Sequence, residues 1–290
     1  MLPLPEGHRF PMLKYELVKE QLIREGTVDE ANIYDLGLCS LEHVLSTHDP
    51  DYLRRFVGLQ LSPQEIRRIG FPMTEKTVNR CFYSAEGTRR SALNALEYGI
   101  GLNIAGGTHH AYRDRGEGFC MLNDIAIAAN FLLNHQLSKQ ILVVDLDVHQ
   151  GNGTAKIFED DPRVFTFSMH GADNYPLHKE NSDLDIALKN GTEDEEYLKI
   201  LVDVLPNLIQ RVKPDFVFYQ SGVDILATDK LGKLSISREG CKRRDAMVFE
   251  QCKKHQIPMA VCMGGGYSER LVDIVEAHCN TFRLAVDFYG

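Results

Sequence analysis

The run Ile141-Leu-Val-Val-Asp-Leu-Asp-Val148, followed at once by His149-Gln-Gly-Asn-Gly153, constrains this chain more than any other segment. It opens continuously apolar and β-branched, as in a strand covered on both faces of a parallel sheet. Acidic side chains nevertheless interrupt it at Asp145 and Asp147. Alternate residues of a strand point to the same face, so Asp145, Asp147 and His149 should share one direction if the strand runs through them. Like-facing polar groups at a buried strand end need a compensating partner, because burying unpaired charge is costly. A cation answers that need.

The surrounding pattern gives the frame. Apolar runs at 100–105, 164–169, 216–221 and 258–263 read as further strands. They alternate with helical spacing at 123–135, with Asn123 as N-cap, at 192–212, opened by the capping-box spacing Thr192-Glu-Asp-Glu195, at 237–255, and from about 268 onward. Before residue 100 the chain reads as mostly helical, over 11–25, 40–46, 50–58, 62–69 and 87–98. Strand and helix in alternation imply right-handed βαβ crossovers and helices on both faces of the sheet. No repeat, low-complexity tract or Ser/Gly linker divides the 290 residues, so residues 1–290 are expected to form a single α/β domain.

Composition removes whole classes of function. With 43% hydrophobic and 25% charged residues the chain is a globular one, not a disordered one. Its 32 Lys+Arg against 41 Asp+Glu give 32 − 41 = −9, which argues against direct nucleic-acid binding through a broad basic surface. No apolar run approaches the roughly 18 residues of a membrane span, and the N-terminus lacks a signal-peptide pattern. The seven cysteines are odd in number and nowhere spaced Cys-x-x-Cys. They read as small buried hydrophobes in a reducing, intracellular and cytoplasmic setting.

Ligand sites of parallel sheets lie beyond the carboxyl ends of the strands, and that is where the titratable residues collect. The strand ends lead into Gly106-Gly-Thr-His-His110, Asp145-Leu-Asp-Val-His149, His170 with Tyr175-Pro176, Gly222-Val-Asp224 and Gly264-Gly-Gly-Tyr267. Asp147, His149 and Asp224 offer one nitrogen and two oxygen donors, a set that suits Zn²⁺ with an open position. His109 and His110 have the side chain suited to proton transfer near neutrality, with Asp145 and Asn152 as orienting partners. Tyr267, after the glycine run, suits a hydroxyl that donates to a developing oxyanion. Each also has a plainer role: a loop anchor for Asp224, a solvated pair for the histidines, a core tyrosine for Tyr267. Their convergence on one rim of the sheet favours chemistry.

Together with Gly118-Phe-Cys-Met-Leu-Asn-Asp124 and Ser221-Gly-Val-Asp224, these motifs resemble in order and spacing the zinc-dependent histone deacetylase family of the arginase/deacetylase superfamily, over nearly the whole chain. The His149-Gln-Gly-Asn152 form and the segment 229–237 look most like class IV deacetylases and their bacterial relatives. The resemblance implies a three-layer αβα fold around a mostly parallel sheet of about seven or eight strands. It implies Zn²⁺, with Fe²⁺ suited to the same donors, on Asp147, His149 and Asp224. A zinc-bound water would attack the acyl carbon of an acylated lysine carrying an acetyl or longer group. His110, paired with Asn152, would be general base and then acid, while His109, paired with Asp145, would act electrostatically. Tyr267 would hold the oxyanion. Gly118, Phe119, Tyr175 and Gly265 would bind substrate, with Phe119 and Tyr175 lining a narrow tunnel. A structural K⁺ would sit on Asp145, Asp147, Ser168 and the backbone at His149 and Met169. Arg9 resembles the arginine of an internal channel for acetate exit.

Three departures from the family pattern stand out. Asn152 replaces an Asp of class I members, Tyr175 replaces a common phenylalanine, and the chain starts at Met1-Leu-Pro-Leu-Pro, where relatives have a short extra strand. Strand count is thus open by one, and a short or truncated N-terminus is expected. The implied partners are acylated-lysine proteins or peptides, or small acyl amines; the acidic balance draws cations of either kind. An acylpolyamine amidohydrolase with the same mechanism is therefore the alternative. A binuclear manganese ureohydrolase would need more bridging carboxylates where Gln150 and Asn152 sit. A silent acyl-lysine reader would have lost the tyrosine or a ligand.

Overall fold

In a computed structural model describing residues 2–290, the buried apolar runs form one all-parallel sheet. Strands β1 (Ile100–Asn103), β2 (Ile141–Asp145), β3 (Val164–Gly171), β4 (Leu184–Leu188), β5 (Phe216–Gln220) and β6 (Met259–Cys262) lie in the order β1-β6-β5-β2-β3-β4. The chain leaves β2 toward β3 and β4, then returns to β5 on the other flank of β2. The β2/β5 boundary is therefore the topological switch point, where crevices open at strand carboxyl ends.

Among the described residues the α-helices are α1 (Lys14–Arg24), α2 (Leu41–Leu45), α3 (Pro50–Val57), α4 (Pro63–Ile69), α5 (Glu75–Tyr98), α6 (Asp124–Asn134), α7 (Asn152–Phe158), α8 (Asp194–Val212), α9 (Arg238–Lys254) and α10 (Leu271–Tyr289), with a short 3-10 helix at Glu30–Asn32. Alternate residues of β2 serve opposite layers, as a strand's period requires. Leu142 and Val144 pack with Leu201 and Leu205 of α8 and with Val248 and Phe249 of α9. Ile141 and Val143 pack with Ile125, Ala129 and Leu132 of α6 and with Ala92 of α5. The three-layer αβα expectation is met. A further cluster joins Leu2 and Phe10 to Tyr52, Phe56, Phe71 and Phe82 and carries Phe119 and Tyr267 on its edge.

Among the described residues the sheet has six strands, not seven or eight, and every pairing within it is parallel. Residues 2–13 form no strand on the sheet edge, since Leu2 and Phe10 are drawn into the aromatic cluster of the helical layer. Met1 lies outside the described residues. Strand β4 escapes a search for continuous apolar runs because it is an edge strand whose Leu-Asp-Ile-Ala-Leu alternates between half-buried and exposed positions. Helix α5 begins at Glu75, under a Thr74 cap, rather than at 87. Its middle hides charge, because Glu86 and Arg89 are both buried and paired. Asn123 and Ser237 cap α6 and α9, each accepting from the backbone N–H three residues on. The capping box at 192–195 does not form: Thr192 donates to the Lys189 carbonyl, and Glu193 occupies the cap position.

The site's foundation is Arg244 of α9, which is wholly buried. Its guanidinium donates to Asp245 Oδ1 at 2.8 Å and to the carbonyls of Gly222, Leu146 and Ser221 at 2.6, 3.2 and 3.3 Å. One planar fork thereby ties the loop after β2 to the loop after β5. Asp245 also accepts from Tyr219 and from Thr281. Replacing Arg244 with Met should cost about 3–5 kcal/mol in urea unfolding, because Asp245 and the loop carbonyls would stay buried without their partner. Arg244→Lys should recover little of this, having one point charge in place of the fork.

His48 supplies a pH dependence of stability. It is buried; its Nε2 accepts from the Asn123 N–H at 2.9 Å, and its Nδ1 lies 3.3 Å from the Arg113 carbonyl, so the ring is neutral. Burial pushes its pKa down to about 4. The unfolded chain, with an ordinary value of about 6.5, binds the proton more tightly. Stability from this group is therefore complete above about pH 6.5 and is lost as pH falls toward 4, by up to about 3 kcal/mol. Thermal midpoints recorded from pH 7 to 4.5 should fall more steeply in the wild type than in His48→Gln.

Candidate active site

The strand ladder of β2 stops at Asp145, so Asp147 and His149 lie in the following loop and not on the strand. Strand parity does not bring them together. Backbone-to-carboxylate bonds do: the N–H of Val148 donates to Asp224 Oδ1 at 2.9 Å, that of His149 to Asp147 Oδ1 at 3.1 Å, and that of Asp147 to Asp145 Oδ1 at 3.2 Å. The loop winds around its own acids. Asp224, carried by the loop after β5, closes the group from across the switch point.

Donor atoms of Asp147, His149 and Asp224 all lie within 4.8 Å of one another, and all three residues are buried. His149 Nδ1 is 3.1 Å from Asp147 Oδ1 and 3.1 Å from Asp224 Oδ2. Burial opposes charge on His149, but the two carboxylates overcome it and lift the imidazole to about 10. Burial, reinforced by Asp147, pushes Asp224 up to about 7. Two buried carboxylates at this separation demand positive charge between them. The donor set and its electrostatics therefore fit a divalent cation such as Zn²⁺ or Fe²⁺. Glycine makes room for it. A Cβ on Gly265 would fall 1.9 Å from Asp224 Oδ2 and 2.8 Å from Asp147 Oδ2, and one on Gly222 would fall 2.3 Å from Asp147 Oδ2.

Two histidine dyads stand beside this group. His109 Nδ1 is 2.7 Å from Asp145 Oδ2, and His110 Nδ1 is 2.7 Å from Asn152 Oδ1. The rings are 4.1 Å apart, yet their electrostatics diverge. For His109, burial opposes the charged form, but Asp145 and Asp147 outweigh it and hold the pKa above its ordinary value. For His110, burial and then the neighbouring His109 and His149 push the pKa well below the usual range. One imidazole is biased toward its charged form, the other toward its neutral form.

A cavity of about 30 Å³, enough for a water-sized occupant, is lined by His109, His110, Asp147, His149, Gly265 and Tyr267 at one end. Tyr267 finds no acceptor for its hydroxyl among the described residues. Burial, with Asp224 and Asp147 nearby, holds its pKa well above the ordinary value, so it remains a donor. Phe119 and Gly118 line the same cavity, and Phe119 keeps an uncommon positive φ of 67° for a bulky residue. Its N–H donates to the Ile69 carbonyl at 2.7 Å. A Cβ on Gly118 would meet His110 Cδ2 at 2.7 Å. Tyr175, 38% exposed, sets its ring edge-on to His110 at 4.9 Å. Ser168 pairs in register with Asp145, and its Oγ lies 2.9 Å from His170 Nδ1.

The expected internal arginine is placed differently. Arg9 is exposed, because its segment turns Phe10 inward instead. Arg80 of α5 lines the inner end of the cavity beside Phe10 and Tyr15, donating to the Tyr15 hydroxyl at 3.0 Å. Lys14, wholly buried, donates to the Gly264 carbonyl at 3.0 Å. Neither cation carries a motif, and a helix of ordinary polar pattern gave no sign of them. Nor did any motif mark Glu117, which accepts from Asn152 Nδ2 at 2.7 Å and from the Tyr175 hydroxyl at 2.9 Å.

The parallel αβα sheet and its cluster of buried histidines and carboxylates define the class: a hydrolase of the deacetylase type. Residues 8–282 match the histone deacetylase domain, and the chain belongs to the histone deacetylase family. It is 44% identical to an uncharacterized protein of Picosynechococcus sp. over 99% of this chain and 96% of that one. It is 30% identical to histone deacetylase 2 of Arabidopsis thaliana over 92% of this chain and 72% of the relative. A crystal structure of an HDAC homolog complexed with SAHA superposes with a TM-score of 0.84 at 23% identity, covering 96% of this chain and 79% of that one, which is a likeness of fold.

Gly265→Ala should abolish tight divalent-metal binding, because the added methyl takes the space beside both carboxylates. Metal content measured by mass spectrometry after dialysis checks this. Gly37→Ala, where a Cβ meets nothing within 4 Å, should keep its metal.

Proposed function

We propose that this family member removes acyl groups, acetyl or longer, from the side-chain amine of acylated lysine, with Zn²⁺ or Fe²⁺ held by Asp147, His149 and Asp224. The observation that carries the reading is a cavity lined by Asp147, His149, His109, His110 and Tyr267, with Asp224 completing the donor cluster and unlike partners behind the two histidines. When bound, the cation supplies Lewis acidity, polarising an acyl carbonyl and acidifying a water. The protein's residues do the rest. His110, neutral and donating Nδ1–H to Asn152, has its Nε2 lone pair for a proton from the attacking water, and later returns that proton to the departing amine. His109 stays charged against Asp145 and stabilises the developing negative charge. Tyr267 donates to the oxyanion.

Phe119 and Tyr175 are the apolar walls for the lysine methylenes, and the Gly118 carbonyl accepts the substrate amide N–H. Gly265 leaves the acyl group room beside the carboxylates. Arg80, with Lys14 held behind the cavity wall on the Gly264 carbonyl, would be the cationic end toward which a product carboxylate is drawn. Asp145 and Ser168, neighbours across β2 and β3, are the side-chain donors proposed for K⁺. The Asn152 dyad supports placement with class IV and its bacterial relatives. All seven cysteines are buried and unpaired, which suits a reducing compartment.

Tyr267→Phe should cut turnover about 10²- to 10³-fold, as for loss of one oxyanion donor. Chelation should abolish activity, with Zn²⁺ or Fe²⁺ restoring it. A panel of acyl-lysine peptides and acylpolyamines, varied in acyl length and assayed with defined metals, checks the substrate class. Faster turnover of acetylspermidine than of every peptide would transfer the reading to an acylpolyamine amidohydrolase, and unchanged activity in Tyr267→Phe would refute the mechanism.

A further inference from the structure

We propose that Glu117 is a positioning residue for proton transfer, holding His110 in its working tautomer by fixing which end of the Asn152 amide faces the imidazole. The proposal rests on the reading of His110 as general base, but its structural content is independent of turnover.

An asparagine cannot choose its own orientation, since its oxygen and nitrogen ends fill nearly the same space. The neighbours must choose. Asn152 has one end 2.7 Å from His110 Nδ1. Its other end lies 2.7 Å from Glu117 Oε1 and 3.0 Å from the Tyr112 hydroxyl. Tyr112 lies 3.0 Å from Glu180 Oε1, where an ionised carboxylate can only accept. The phenol proton is therefore spent on Glu180, and Tyr112 can only accept from Asn152. Glu117 likewise accepts only. Two acceptors facing one end of the amide require it to be the NH₂ end, with both protons used.

The consequence passes inward. With its NH₂ engaged, Asn152 presents a carbonyl oxygen to His110 Nδ1, and that nitrogen must carry the proton. The Nε2 lone pair is then available to the cavity that His110 lines. Without Glu117 the amide loses its stronger anchor and can turn over. It would then offer N–H to His110 Nδ1, move the imidazole proton to Nε2, and leave the ring unable to take a proton there. The same carboxylate oxygen accepts from Tyr175, whose ring lies edge-on to His110. Glu117 thus ties the tunnel wall to the base. Its side chain is 13% exposed, and Arg115 Nε approaches its other oxygen only to 3.9 Å, so Asn152 and Tyr175 are its close partners.

The test uses the metal-loaded enzyme. Glu117→Ala should lower kcat about 10- to 100-fold, the usual scale for a group that orients a functional side chain, with KM for an acyl-lysine peptide little changed. Adding Asn152→Asp to that variant places a carboxylate directly on Nδ1–H and should restore kcat to near the wild-type value; a role in local packing would not be rescued this way. Glu117→Met fills the space without an acceptor and carries the same expectation should the alanine variant not fold. In parallel, long-range ¹H–¹⁵N spectra of the histidine rings should show Nδ1–H for His110 in the wild type and Nε2–H gaining in Glu117→Ala. An unchanged His110 tautomer in Glu117→Ala, or a double variant as slow as the single one, overturns the proposal. The spectra need no substrate, so an enzyme inactive on every acyl amine would sink the functional reading while the tautomer result still decided this one.

Discussion

The rest of the structure depends on keeping negative charge buried at the carboxyl ends of the two central strands. Asp145, Asp147 and Asp224 are all buried and converge at the boundary between β2 and β5. Unbalanced, such a cluster would cost several kcal/mol per ion. Backbone N–H groups of Asp147, Val148, His149 and Gly265 each donate to one of these carboxylates. Those bonds spend loop donors that would otherwise lack partners, since the strand ladder has already ended. A divalent cation between Asp147, His149 and Asp224, as proposed, would supply the remaining charge balance. The site is in this sense part of the fold's electrostatics, not a decoration on it.

Arg244 serves the same end from below. It places a permanent positive charge under the loops and accepts no hydrogen bond, so every contact it makes with Leu146, Ser221 and Gly222 orders a carbonyl. Asp245 then neutralises it, and Tyr219 and Thr281 satisfy Asp245. Charge and donors alternate outward from the cavity until the hydrocarbon of α9 and α10 takes over. Glycines at 222 and 265 are required at the inner end of this stack because carboxylate oxygens occupy the positions their side chains would fill.

Much of this was legible in the sequence because it is local. The continuous apolar runs marked five of the six strands, and Asn123 and Ser237 announced their helices by the capping they perform. The candidate metal donors, both histidines with their partners and Tyr267 follow strand ends, where a parallel sheet gathers its functional residues. What escaped depends on partners distant in sequence. Strand β4 is half exposed, so its only sign is a short alternation. Arg244 and Lys14 look like surface cations until α9 and α1 are packed, and Arg80, not Arg9, lines the cavity, since Phe10 turns inward and leaves Arg9 exposed. Asp147 and His149 do lie together, but strand parity is not the reason, since their loop, not a strand, aligns them.

The two dyads show how one backbone turn yields opposite protonation behaviour. His109 and His110 are adjacent in the chain, both buried, and each bonded through Nδ1. What differs is the atom beyond. Behind His109 stands a carboxylate whose charge is felt directly, so its imidazolium is favoured. Behind His110 stands a neutral amide, so burial prevails and the ring stays uncharged. An amide, unlike a carboxylate, has a wrong way round, and Asn152 is kept the right way by acceptors one layer farther out. Exchanging a carboxylate for an amide thus lowers the basicity of the inner partner and transfers responsibility for its tautomer outward, to Glu117 and Glu180. Polarity in this site is set from the rim inward, while charge is set from the strand ends outward, and His110 sits where the two meet.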